Sequence, residues 1–125
     1  MDATQLKIIV AGLFFICIFL SGFWLSRKGK PYNPLRFNLH KFIGLGMGVF
    51  LIITVYRAHQ VAPLEASESI VIGITALLFI INIIAGGLVS IDKPMPGFVA
   101  WIHKLLPYAI VLSTTVTLYI LLYPQ

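Results

Sequence analysis

Four apolar runs, roughly residues 6–25, 37–56, 70–91 and 101–123, take up most of this 125-residue chain and leave only short polar connections between them. A bilayer's hydrocarbon core of ~30 Å is crossed by about 20 helical residues, so each run is long enough to span it. With 59% hydrophobic residues, 10% charged residues and a mean hydropathy of +0.98, the chain cannot be a water-soluble domain. The expected fold is all-α: an integral membrane four-helix bundle, up-down-up-down, forming a single transmembrane domain over 1–125. No room remains for a soluble catalytic unit, and no glycine-rich phosphate loop is present. The first run is longer than the ~7–15 residues of a signal-peptide core and no small-residue cleavage site follows it, so it is expected to be a retained helix.

The connections punctuate these helices. Lys-Pro-Tyr-Asn-Pro at 30–34 and Lys-Pro-Met-Pro-Gly at 93–97 stop one helix before the next begins. Residues 59–68, with Pro63 and two glutamates, read as a short loop. Trp24, Tyr32, Tyr56, Trp101, Tyr119 and Tyr123 fall near segment ends, where interfacial aromatics collect. Cys17 has no second cysteine to pair with and reads as a small core residue.

The two halves repeat. An offset of 63 superposes Lys30 on Lys93, Pro31 on Pro94, His40 on His103, Lys41 on Lys104, Thr54 on Thr117 and Tyr56 on Tyr119. With an offset of 64, the first run aligns with the third through Phe15 and Phe79, Ile16 and Ile80, Gly22 and Gly86, Ser26 and Ser90. The chain is therefore expected to be two helical hairpins, 1–58 and 68–123, arranged as a parallel repeat about an axis along the membrane normal.

Charge orients the hairpins. Arg27, Lys28, Lys30, Arg36 and Lys41 surround the first connection without an acid, and Lys93 and Lys104 face Asp92 at the third. On the other side Asp2, Lys7, Arg57, Glu65 and Glu68 roughly cancel. The positive-inside tendency predicts a multi-pass protein whose first and third connections face the cytoplasm and whose two termini face out. The net charge of +5 reads as topology and lipid contact, with no nucleic-acid partner.

In such a bundle the second and fourth helices run in the same direction, which places His40 and His103 at one depth, about a turn inside the cytoplasmic boundary. Intramembrane ionisable residues are costly and are functional candidates by default. Two matched neutral imidazoles suit the axial positions of one haem b, and a bis-histidine centre passes electrons and leaves no open site for oxygen. The anionic propionates would meet Arg36, Lys41, Lys104 and the Arg27–Lys30 cluster. A porphyrin needs more room than helices packed ~8–10 Å apart give, and Gly44 and Gly48 beside His40, with Gly22, Gly86 and Gly87 on the neighbouring helices, are the small residues that could admit it. The iron ligands are thus expected to be His40 and His103, with those glycines and cations around the cofactor.

The sequences Leu39-His40-Lys41-Phe42-Ile43-Gly44 and Ile102-His103-Lys104-Leu105-Leu106 resemble the haem-ligand helices of cytochrome b-561-like and ferric-reductase-like membrane proteins. The resemblance covers the second and fourth runs and implies bis-histidine haem b and membrane electron transfer. This chain departs from the fuller members, which carry four ligand histidines for two haems, because it has three histidines in all. His59 stands 19 positions from His40, about 28 Å along a helix at ~1.5 Å per residue, and so cannot share its iron. It reads as a loop histidine, as a quinone or partner contact with Tyr56 and Arg57, or as a ligand shared between chains in an oligomer.

One haem near one face cannot carry an electron across the bilayer alone. The exchange needs a quinol, a redox partner protein or a further copy of the chain. No autonomous catalytic site is evident: no nucleophile stands beside a base, and no carboxylates are paired. Three alternatives compete. The His-Lys pairs could be interfacial anchors, with lysine snorkelling to the headgroups; the chain could be a small transporter or channel subunit; or it could be an assembly subunit without cofactor. Proton-coupled exchangers of this size need a carboxylate in mid-membrane, and no run carries one. Zinc would need further ligands at that depth.

Overall fold

The computed structural model describes residues 1–123. Among them there are four helices and no strand: α1 Ala3–Lys28, α2 Pro34–Val61, α3 Ala66–Ser90 and α4 Gly97–Leu122. Each is long and apolar enough to cross a membrane. Apolar residues cover nearly the whole circumference of the helices: Phe42, Ile52 and Leu112 are about 70% exposed (70%, 69% and 69%). Such a surface suits a hydrocarbon solvent and would be a liability in water.

The helices overrun their apolar cores because their ends are capped. Asp2 and Gln5 close a capping box on α1, with Gln5 N–H donating to Asp2 Oδ1 at 2.7 Å. Asn33 Oδ1 accepts from the N–H groups of Leu35 and Arg36 at 3.0 and 3.2 Å, ahead of a proline at the first helical position. Glu65 and Glu68 form the box that starts α3, so these acids cap a helix where a loop was expected. Gly29 ends α1 at φ 70°, ψ −177°, a conformation essentially reserved for glycine.

Two compact units divide the chain, Met1–Gln60 and the part from Val61 onward. Each is a hairpin. In hairpin 1 the contacts between α1 and α2 run in reverse order: Trp24 with Arg36, Gly22 with His40, Ile18 with Gly44, and Phe14 with Gly46 and Phe50. In hairpin 2, Gly86 meets His103, and Thr75 meets Ser113 and Thr117. Both helix pairs are therefore antiparallel. Small residues and hydroxyl contacts join the helices of each pair, as in apolar helix pairs that cannot rely on hydrophobic burial. Gly46, against which Phe14 closes to within 3.1 Å of a Cβ position, and Ala11, 4% exposed, serve this role in hairpin 1.

Two local expectations change, and the proline within α4 leaves that helix continuous. His59 lies in the last turn of α2, which continues to Val61, instead of in a loop. Cys17 is exposed on α1 and is not a core residue. Pro107 removes one N–H from α4, but that helix runs unbroken from Gly97 to Leu122, so His103 is fully helical.

Candidate functional site

His40 and His103 each stand six residues after the first residue of their helix, Pro34 and Gly97. At that level the preceding helix of the same hairpin presents a glycine. A Cβ on Gly22 would lie 2.9 Å from His40 Cε1, and a Cβ on Gly86 would lie 2.6 Å from His103 Cε1. Real Cβ atoms do not approach so closely. Each ring therefore occupies a notch that exists because its neighbour has no side chain, and the repeated Gly-His pairing of the sequence is a direct contact in both hairpins.

The ring nitrogens reveal the proton position. His103 Nδ1 lies 3.2 Å from the carbonyl oxygen of Asn82, which can only accept, so Nδ1 carries the proton. His40 Nδ1 lies 2.9 Å from Ser21 Oγ. Ser21 Oγ also lies 3.1 Å from the carbonyl oxygen of Ile18; when the hydroxyl donates there, Nδ1–H of His40 donates to the hydroxyl as His103 does to its carbonyl. In a neutral imidazole of this tautomer the lone pair is on Nε2. Shifted by 64, Ile18 falls on Asn82 and Ser21 on Ala85. The two hairpins thus use equivalent carbonyls, reached directly in hairpin 2 and through a serine hydroxyl in hairpin 1.

Ser21 and Asn82 are histidine partners that the sequence reading missed. Ser21 falls one residue before the repeated glycine and is 9% exposed, its equivalent Ala85 5% exposed. The polar-for-apolar exchange at a buried repeat position was the available signal. Asn82 acts through its backbone, which no side-chain pattern reports; its Oδ1 is buried without a hydrogen-bond partner.

The other predicted residues distribute as follows. A Cβ on Gly44 would lie 3.4 Å from Ile18 Cδ1, whereas Cβ positions at Gly48 and Gly87 meet nothing within 4 Å. Gly44 is thus a packing residue of hairpin 1, and Gly48 and Gly87 leave open volume on their helices. The Arg36 guanidinium lies 4.1 Å from the Trp24 ring centroid, and Lys41 Nζ lies 5.1 Å from that of Phe37. Lys104 is exposed. Arg57 lines a groove at the far end of hairpin 1 with Lys7, Leu6, Val10 and Ile53, while Tyr56 is 63% exposed. Among the described residues no three His, Cys, Asp or Glu side chains gather around a point that could hold a metal ion.

The chain matches no family model, no curated protein and no solved structure. Its chemistry has to be argued from these residues alone.

Proposed function

We propose that this chain is a membrane cytochrome that holds one haem b through His40 and His103 and exchanges electrons with a quinol or a redox partner. The observation that carries the reading is the twice-repeated notch: a histidine whose Nδ1 meets a protein oxygen, with Nε2 beside a glycine. Ligand histidines characteristically donate their second ring nitrogen to such an acceptor, which sets the tautomer and raises the basicity of the ligating nitrogen. A Cβ at Gly22 or Gly86 would stand 3.7 or 3.3 Å from Nε2 and crowd an iron there. Each hairpin thus offers one imidazole that would suit haem iron.

Held by these two histidines, haem would supply one-electron transfer. The chain's part is to hold both rings still, keep their tautomers, and offset the propionate charge with Arg36, Lys41 and Lys104. The reading places the protein in a membrane with both connections on the basic, cytoplasmic side. Haem content of the protein purified from haem-replete cells tests it. The unaltered chain is expected to carry one haem b, and His40→Ala or His103→Ala to lose most of it. A chain that copurifies with no haem, or a double variant that keeps it, overturns the proposal.

A further inference from the structure

The hairpins repeat each other in histidine, glycine and threonine but not in charge. Hairpin 1 carries Lys7, Arg27, Lys28, Lys30, Arg36, Lys41 and Arg57 against Asp2 alone, +6; hairpin 2 carries Lys93 and Lys104 against Glu65, Glu68 and Asp92, −1; together they give the chain's +5. Five of the seven cations of hairpin 1 fall between positions 27 and 41. Orientation needs only a bias between the two sides, and a haem held equally by both hairpins gives no reason for one of them to hold all the charge.

The charge is also seated. Arg36 lies flat on Trp24, and Lys41 lies over Phe37, whose ring stacks on Tyr32 with centroids 5.7 Å apart at 17°. Tryptophan and tyrosine settle at headgroup depth, so cations held on such rings face lipid phosphates. Arg27 and Lys28 are exposed on the last turn of α1, where the helix dipole favours cations, and Lys30 is exposed in the connection. Immediately below, Phe23 and Leu39 are 64% and 50% exposed and offer an apolar flank. A nucleic acid would use the cations and rings but not the adjoining hydrocarbon surface. A phospholipid uses both.

We propose that the connection end of hairpin 1 is a binding site for an anionic phospholipid, its phosphate taken by Arg36 with Arg27, Lys28 and Lys30 and its acyl chains lying along the apolar flank. The proposal rests on the chain crossing a membrane; it shares only Arg36 with the haem reading, and its test reads lipid and not haem. The test reconstitutes the full chain in phosphatidylcholine vesicles and measures, by electron paramagnetic resonance, the motionally restricted fraction of spin-labelled phosphatidylglycerol against spin-labelled phosphatidylcholine.

The expected result is a preference for phosphatidylglycerol of about threefold or more at low salt, falling toward parity in ~1 M salt, where the Debye length is ~3 Å. The preference is lost in the Arg27→Gln, Lys28→Gln, Lys30→Gln, Arg36→Gln variant and kept in Lys93→Gln, Lys104→Gln. Inorganic phosphate at matched ionic strength does not displace the lipid. Equal partition of the two lipids, equal loss in the hairpin 2 variant, or displacement by single-stranded RNA overturns the proposal. If the quadruple variant fails to insert, salt dependence of the unaltered protein decides: a preference that persists unchanged in high salt is not electrostatic and contradicts the site.

Discussion

At Gly86 the ring of His103 occupies the volume in which any other residue would carry its Cβ, 2.6 Å from Cε1, and at Gly22 the ring of His40 does the same at 2.9 Å. Alanine at either position has to push an imidazole aside, an overpacking that costs about 1–3 kcal/mol and tilts the ligating nitrogen. Gly86→Ala is therefore expected to lose more haem than Gly22→Ala, and both to lose more than Gly87→Ala, whose Cβ meets nothing within 4 Å. Haem-to-protein ratios after purification check this order; equal retention in all three contradicts the notch. Ser21 supplies a second residue-scale prediction. Ser21→Ala removes the acceptor of His40 Nδ1–H while leaving the glycine and the histidine in place, and loss of such a supporting bond typically weakens metal affinity by about tenfold or more. A haem-transfer assay to an apoprotein acceptor measures it. Unaltered haem retention would show that the tautomer of His40 is fixed by something other than Ser21.

The elements were legible in the sequence because their cause is simple. A run of about 20 apolar residues bounded by Lys-Pro-Tyr-Asn-Pro or Lys-Pro-Met-Pro-Gly has little alternative to a spanning helix. Their ends were less legible, since caps made by Asn33 and by the Glu65–Glu68 pair extend helices into polar sequence that resembles a loop, and His59 was misplaced for that reason. The hinge of each hairpin contact was hidden as well. Gly44 and Gly46 meet α1 while Gly48 does not, a choice made by helix rotation, which spacing does not reveal. In hairpin 2 the joint is polar: Thr75 Oγ1 meets Ser113 Oγ and, at 3.0 Å, Thr117 Oγ1. Thr54 and Thr117, equivalent in the repeat, both bond back to the carbonyl four residues earlier at 2.9 Å, yet Thr54 faces Ala11's helix, where the equivalent of Thr75 is an alanine. Thr75→Val keeps the shape and removes the hydroxyl, and is expected to destabilise hairpin 2 by about 1 kcal/mol, within the range measured for interhelical bonds in lipid. Titration of the full chain with denaturing detergent measures the loss; none at all would assign the joint to packing alone.

For the whole molecule, two hairpins share one architecture and carry different loads. Both keep the Gly-His notch and the buried threonine; hairpin 1 alone keeps the basic rim, and hairpin 2 alone keeps the hydroxyl joint. The matched features are the ones the proposed haem site uses, and the basic rim of hairpin 1 is the one the proposed lipid site uses. That division was partly readable as an offset of 63 or 64 between residues, but the acceptors that complete the site, a serine hydroxyl in one copy and a backbone carbonyl in the other, have no common sequence sign. The central claim is that His40 and His103 are the two axial ligands of one iron. It is tested most directly by the visible absorption spectrum of the purified, reduced protein before and after carbon monoxide. The account predicts a low-spin b-type spectrum with a sharp Soret band that carbon monoxide leaves unchanged, since both axial positions are filled. No Soret band, or one that shifts at once on adding carbon monoxide, contradicts it.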